Sequence, residues 1–233
     1  MTPHPRRFLL LSLNAVALFA VLAILVASNS AIVRLDHWIS DGCYPFTMQH
    51  SGVRDFFRMV TDLGWGRFLN WVGAASIIVL LVRREWMRSL FWGLGLYAIH
   101  WIVPFVKDQF QRARPEFADI DGYSFPSGHA FGAASVYCIL SLVLLRVWAG
   151  NRWRWLMAAA VWLLIPLVAL SRIMLGVHYF SDVLAGMALG LAWAFALAAI
   201  TEWWDTVRAR DAASKPATTP PAPPGPSETD ARS

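Results

Sequence analysis

The stretch YSFPSGHA, residues 123–130, marks the point where a polar loop gives way to a long apolar run. Pro126, Ser127 and Gly128 predict a helix start, because Ser127 can cap free backbone N–H groups and glycine admits a close neighbour. His129 then falls in the first turn. Free N–H groups and the positive end of the helix dipole attract anions, and histidine exchanges protons near neutral pH. The stretch therefore predicts a phosphate-binding helix start.

Two further polar clusters also lie at the ends of apolar runs. The upstream cluster is KDQFQRARP, residues 107–115, and the downstream cluster is SRIMLGVHYFSD, residues 171–182. Their ionisable side chains include Lys107, Arg112 and Arg114 upstream, and Arg172, His178 and Asp182 downstream. A fold that brings the three run ends together would build one cationic site with two histidines.

The composition is that of an integral membrane protein. Hydrophobic residues make up 57% of the 233 residues and charged residues only 15%, whereas soluble domains carry about 25% charged residues. The net charge of +5 comes from basic residues at the edges of apolar runs, so we expect no nucleic-acid partner. Cys43 and Cys138 would lie at different membrane depths, and neither a disulfide nor a cysteine-bound metal is expected.

The apolar runs predict an all-α fold, a six-transmembrane helical bundle. The predicted spans are residues 8–27, 67–82, 89–106, 127–145, 155–170 and 180–200, with a kink at Pro166. The first run could instead be a cleaved signal peptide, but it exceeds the usual core of about 7–15 residues, so we favour an anchor. Between spans one and two, acidic and aromatic residues alternate over 28–66. This pattern predicts an extracytoplasmic amphipathic helical segment on the membrane surface.

The distribution of arginines predicts the orientation of the bundle. Arginines near both termini and in residues 83–88 and 146–154 fall on one face, which the positive-inside rule makes cytoplasmic. The three polar clusters then lie on the extracytoplasmic (periplasmic) face of the cell membrane, where anion binding would explain their basic residues. We expect residues 1–210 to form the membrane domain, with its motifs at 107–182, and residues 211–233 to form a disordered cytoplasmic tail.

The spacing of the polar residues suggests a reaction. Lys107 and Arg114 are seven apart, so on one helix they would share a face and could converge on an anion. Alone they would favour a lipid-headgroup anchor, and the other two clusters reverse that preference. His178 and Asp182 stand at i and i+4, so the carboxylate can orient the imidazole and leave its other nitrogen free to react. Arg172 would add a forked donor for phosphate oxygens.

Together these residues resemble the three-part signature of the type 2 phosphatidic acid phosphatase superfamily, which includes membrane lipid phosphatases and soluble vanadium haloperoxidases. The three parts are Lys107 with Arg114-Pro115, Pro126-Ser127-Gly128-His129, and Ser171-Arg172 with His178 and Asp182. The resemblance covers residues 107–182 and shows no departure at the motif positions. Six spans argue against a soluble haloperoxidase.

The resemblance implies a role for each motif residue. His178 would attack phosphorus to form a phosphohistidine, Asp182 would orient it, and His129 would protonate the leaving oxygen and then activate water. The phosphate oxygens would be held by Lys107, Arg114, Ser127, Gly128 and Arg172. No metal and no cofactor is implied, and Asp119 and Asp121 are interpreted as solvated loop residues. Arg112 could contact the phosphate or bind a headgroup, and both readings stay open.

The expected function is an integral membrane phosphatase acting on a lipid phosphomonoester or diphosphate, of the phosphatidic acid, phosphatidylglycerol phosphate or undecaprenyl diphosphate type. A lipid phosphotransferase would use the same residues, and a non-catalytic transporter or binding protein for anionic lipids would use the same cations. The partners are therefore the lipid phosphate and the bilayer. The sequence leaves the oligomeric state open.

Overall fold

The computed structural model describes residues 5–214, and all the regular secondary structure in that range is α-helical. The helices are α1 (Pro5–Ala27), α2 (Ala31–Gln49), α3 (Ser51–Asp62), α4 (Gly66–Val82), α5 (Trp86–Phe110), α6 (Gly128–Val147), α7 (Arg154–Met174) and α8 (Phe180–Ser214). This confirms the all-α prediction.

Five of these helices, α1, α5, α6, α7 and α8, are long and apolar enough to cross a membrane. A sixth span results if α3 and α4, which meet at a bend of 44°, are counted as one. The predicted helical membrane bundle is confirmed, with five to six candidate spans. Helix α8 continues past the predicted span end to Ser214, so residues 211–214, assigned to the tail, are helical. The rest of the predicted tail, 215–233, lies outside the described residues.

Helix α6 lies at the centre and packs closely against α8. A Cβ atom at Gly186 or Gly190 of α8 would collide with the backbone carbonyl oxygen of Ser127 or Phe131, respectively. Small residues at this four-residue spacing let two membrane helices approach backbone to backbone. The crossing therefore sets the start of α6 against the start of α8.

Helix α1 packs against α8. The Ser12 hydroxyl donates a hydrogen bond to the carbonyl oxygen of Ala192 over 2.8 Å, and the rings of Phe8 and Phe195 stack. The C-terminal part of α1 meets the other end of α8, where Leu22 and Ala23 share a core cluster with Ala185. The two helices therefore run antiparallel.

Ion pairs tie α5, α6 and α8 together at the end of the bundle where α5 begins and α6 ends. Arg88 is 6% exposed and pairs with Glu85 at 3.0 Å, with Glu202 at 3.2 Å and with Asp205. Arg146 pairs with the same Glu85 at 2.6 Å. An arginine buried in a membrane helix needs such partners, because an isolated charge there is costly.

Helix α2 has an unusual distribution of side chains. Its buried residues are Asp36, Ser40 and Thr47, whereas Trp38 and Phe46 are exposed. A helix at the membrane surface would place such exposed apolar side chains toward the lipid. The amphipathic surface segment expected here, and its extracytoplasmic position, stay predictions.

The orientation of the bundle can be tested by cysteine labelling. In a variant with Cys43→Ser and Cys138→Ala, a membrane-impermeant thiol reagent should reach Asp121→Cys in intact cells. It should reach Gly150→Cys only after permeabilisation, because an odd number of complete crossings separates the two loops. Both positions are exposed, so access depends on sidedness alone. Labelling of both positions from the same side would contradict the predicted orientation.

Candidate active site

The ends of α5 and α7 and the starts of α6 and α8 meet at one end of the bundle. The backbone N–H of Ser127 donates to the carbonyl oxygen of Asp182 over 2.9 Å, which joins the first turns of α6 and α8. From the loop after α5, Arg114 donates to the carbonyl oxygen of Val177 over 2.9 Å. The structure therefore brings the three sequence clusters to one place.

Asp182 is fully buried and is the centre of the polar network. Its Oδ1 accepts from Arg112 over 2.6 Å, and its Oδ2 accepts from the Tyr179 N–H over 2.9 Å and from the Ser124 hydroxyl. Nδ1 of His178 lies 3.5 Å from Oδ2. The carboxylate is thus held by donors on both oxygens and faces one side of the imidazole, as the spacing of the two residues predicts.

The imidazole of His178 is 3% exposed. Its Nε2 lies 3.3 Å from Nη1 of Arg114, which can only donate, so Nε2 is the acceptor nitrogen. Burial lowers the pKa of His178 to about 4, with Arg172 and Arg114 lowering it further and Asp182 opposing them. At neutral pH the ring is therefore uncharged, with a lone pair on the nitrogen that faces away from Asp182.

This pKa predicts the pH dependence of His178. A folded-state pKa of about 4, below the ordinary 6.5, favours the neutral form, so this contribution to stability is present above pH 6.5 and is lost as pH falls through 4. If His178 is the nucleophile, as expected from the sequence, its neutral form should likewise stay available until the pH approaches 4. We expect kcat/KM, measured on two lipids whose phosphate pKa values differ, to retain an acid limb near 4. A limb near 6.5 on both lipids would contradict the buried neutral histidine.

Arg114 reaches the site by a different route from the one predicted. Helix α5 ends at Phe110, and Gln111 has the left-handed φ of 45°, so Arg114 lies in a loop and does not share a helix face with Lys107. That prediction was wrong. The loop nevertheless brings the guanidinium beside His178, with Nε donating to the carbonyl oxygen of Gly122 over 3.0 Å. Lys107, still on α5, donates from Nζ to the carbonyl oxygen of residue 123.

Five buried side-chain donors have no hydrogen-bond partner among residues 5–214, and two of them belong to this site. One is the hydroxyl of Ser127, which makes no capping bond to α6, contrary to the prediction, and the other is Nε of Arg172. Nη1 of Arg172 is held by the Thr61 hydroxyl at 2.6 Å. A buried polar group without a partner costs about 1–3 kcal/mol. Phosphate oxygens would satisfy both donors.

His129 and Gly128 line a cavity of about 510 Å³ between α4, α5 and α6. Apart from Asn70, Tyr97 and His100, its walls are formed by small and aliphatic residues, and they include Gly66, Gly73, Ala74, Gly93, Leu96, Ile99 and Val103. The cavity therefore leads from one catalytic candidate along the apolar faces of two helices. It has the size and lining of a site for part of a lipid.

Several polar residues of the site were missed or misplaced by sequence reasoning. The guanidinium of Arg112 is bound to Ser181, Asp182 and Asp36, an arrangement that neither of the two expected roles described. In the sequence, Asp36 was recognised only as one of the acidic residues of the amphipathic segment 28–66. The residues that no sequence signal indicated are Thr61, Ser124 and Ser181.

The predicted loop aspartates, Asp119 and Asp121, are exposed. Within residues 5–214 no group of three or more histidine, cysteine or acidic side chains could hold a metal ion. Metal independence itself stays a prediction, because only an assay can test it.

The family model described as the PAP2 superfamily matches residues 86–205, more than half of the chain. The chain belongs to the PAP2 superfamily. Among PAP2 proteins it is 27% identical to phosphatidylglycerophosphatase B of Bacillus subtilis (strain 168), over 70% of this chain and 76% of that protein. It is 31% identical to lipid phosphate phosphatase gamma of Arabidopsis thaliana, over 54% of this chain and 62% of that protein.

The fold is also that of a solved PAP2 structure. The crystal structure of a transmembrane PAP2 type phosphatidylglycerolphosphate phosphatase from Bacillus subtilis superposes with a TM-score of 0.71 at 25% identity. The match covers 84% of this chain and 96% of the Bacillus chain. The protein is therefore a multi-pass helical membrane protein with the PAP2 fold.

Proposed function

We propose that this protein is a lipid phosphatase that forms a phosphohistidine on Nε2 of His178. The observation that carries the proposal is a buried, neutral imidazole with Nδ1 turned to Asp182 and Nε2 facing Arg114. The buried unpartnered donors of Ser127 and Arg172 support it, because they suit an anionic group at that nitrogen.

In the first step, Nε2 of His178 attacks phosphorus while the bond from phosphorus to the leaving oxygen breaks. His129 donates a proton to that oxygen, and Asp182 stabilises the positive imidazole ring. In the second step, His129 takes a proton from water, the water oxygen attacks phosphorus, and the bond to His178 breaks to release inorganic phosphate. Throughout, the phosphate oxygens are held by Lys107, Arg114, Arg172, the Ser127 hydroxyl and the Gly128 N–H, which stabilise the charge of the transferring group.

The cavity beside His129 supports a lipid as the leaving group. An apolar cavity of about 510 Å³ between membrane helices suits the part of a lipid next to its phosphate better than a water-soluble ester. The names of the two relatives point to the phosphomonoester of a glycerophospholipid, such as phosphatidic acid or phosphatidylglycerol phosphate. Undecaprenyl diphosphate presents a similar reacting group and is the second candidate. The proposed location of the site is the periplasmic face of the cell membrane.

The test is phosphate release by the purified protein from phosphatidic acid, phosphatidylglycerol phosphate, undecaprenyl diphosphate and a phosphorylated glycolipid, with a chelator and no added metal. We expect release from at least one lipid, competitive inhibition by vanadate as a five-coordinate analogue, and no effect of the chelator. Lipid binding without release would favour a transporter, and transfer of labelled phosphate to a second lipid would favour a phosphotransferase. Activity that requires added magnesium or zinc would contradict metal independence.

A further inference from the structure

A second buried carboxylate, Asp36 of α2, lies behind the site. One of its oxygens accepts from Arg112 over 2.7 Å and from the Ser181 hydroxyl over 2.5 Å, and the other accepts from the Ser181 N–H over 2.8 Å. The other terminal nitrogen of Arg112 donates to Asp182 over 2.6 Å and to the Ser181 hydroxyl over 2.7 Å. One guanidinium and one serine thus join the carboxylates of α2 and α8.

The charges in this network constrain one another. Asp36 and Asp182 are both fully buried, and among residues 5–214 Arg112 is the cation that forms an ion pair with each. Burial disfavours the charge of Arg112, but the Asp182 and Asp36 carboxylates raise its pKa above the ordinary value. Without Arg112 the two buried carboxylates would repel and one would take up a proton. Without Asp36, Arg112 would neutralise Asp182 alone and weaken its attraction for a positive imidazole.

The same network holds the loop that carries His178. The guanidinium of Arg112 lies over the ring of Tyr179, 4.4 Å from its centroid, and the N–H of Tyr179 donates to Asp182. The backbone on the C-terminal side of the nucleophile is therefore tied to the two carboxylates. A shift of Arg112 would move both Asp182 and the residue next to His178.

We propose that Asp36 and Arg112 act as a pair of positioning residues, which keep Asp182 charged and aimed at His178; this inference rests on the phosphohistidine mechanism proposed above. Neither residue touches the phosphate. Their loss should therefore slow the chemical step and leave substrate binding nearly intact. A pair that only anchors α2 to the bundle would behave differently, because apolar side chains of similar size could replace it.

The test compares Arg112→Lys with the double variant Asp36→Leu/Arg112→Met. The double variant removes both charges together, and Asp182 keeps its hydrogen bonds from Ser124 and Tyr179. The protein should stay folded, because replacing a buried ion pair with apolar side chains is often neutral for stability. We expect kcat to fall about 100-fold in the double variant and about 10-fold in Arg112→Lys, as for lost outer partners of catalytic groups, with KM changed less than about threefold.

A matched control is Arg88→Met/Glu202→Leu, which removes a buried arginine pair at the other end of the bundle. We expect this control, like the double variant, to stay folded in detergent and to leave kcat within about twofold, because the pair is remote from the reacting groups. A folded double variant of Asp36 and Arg112 with wild-type kcat would overturn the inference, and so would a loss confined to KM. If wild-type protein releases no phosphate from any of the four lipids, the proposed function itself fails. If wild-type protein is active and the folded double variant is equally active, only the positioning role of Asp36 and Arg112 fails.

Discussion

Replacing His178 with alanine should reduce phosphate release by more than about 1000-fold, because the variant lacks the nitrogen proposed to form the covalent intermediate. The fold should tolerate the change. His178 lies in the short connection between α7 and α8, and without it Asp182 retains hydrogen bonds from Arg112, Ser124 and Tyr179. Phosphate release from the best lipid, together with the thermal unfolding midpoint in detergent, measures both effects.

The control for this variant is His50→Ala. His50 is exposed between α2 and α3, and its Nδ1 lies 2.8 Å from the carbonyl oxygen of Phe46, so its loss should leave turnover unchanged. Rapid quench with labelled substrate in alkaline detergent adds a direct readout, since wild-type protein should carry a phosphate that is stable in base and labile in acid, and His178→Ala should lack it. A folded His178→Ala variant with a tenth or more of the wild-type turnover would rule out the phosphohistidine.

Replacing Arg172 with methionine should lower kcat/KM by about 1000-fold, because a guanidinium in a buried site stabilises the charge that spreads over the oxygens during phosphoryl transfer. The structure holds this side chain ready, with Nη1 bonded to Thr61 and Nε buried without a partner among residues 5–214. Arg172→Lys keeps the charge but loses the forked geometry, so we expect an intermediate loss. Thr61→Val removes only the positioning bond and should cost about tenfold or somewhat more, because one hydrogen bond to a charged group contributes about 1.5–3 kcal/mol and a tenfold change in rate is about 1.4 kcal/mol.

Vanadate inhibition provides the second measurement for Arg172. Because vanadate resembles the five-coordinate state, its inhibition constant should rise in Arg172→Met in parallel with the loss of kcat/KM. Arg146→Met, at the opposite end of the bundle, should change neither quantity. An unchanged inhibition constant in a folded, impaired Arg172→Met variant would mean that Arg172 supports the fold and does not hold the phosphate.

The helices and the meeting of the three clusters were predictable from the sequence because they depend on local features. Long apolar runs set the spans, and His178 and Asp182 are close enough in sequence to meet, although α8 begins only at Phe180 and His178 lies in the connection before it. The end of α5 was not predictable in the same way. The chain leaves the helix before Arg114 instead of at Pro115, because Gln111 adopts a left-handed conformation. Glycine or asparagine usually marks such a conformation in a sequence, and neither stands at this position.

The network behind the site depends on contacts between distant parts of the chain. Asp36 stands 145 positions before Ser181, and Thr61 stands 111 positions before Arg172, so no motif spacing links either pair. The same limit applies to Ser127, whose hydroxyl was expected to cap α6. Ser127 lies where α6 contacts α8, and a sequence pattern that marks a helix start gives no information about that contact.

The close crossing of α6 and α8 has a practical consequence for protein engineering. Exchanging a helical glycine for alanine is a common way to make a protein more heat-resistant, since alanine favours a helix by about 1 kcal/mol. At Gly186 the added methyl group would press on the carbonyl oxygen of Ser127, whose N–H is bonded to Asp182. A library that improves helix propensity along α8 would therefore alter the proposed active site, and such screens should leave Gly186 and Gly190 unchanged.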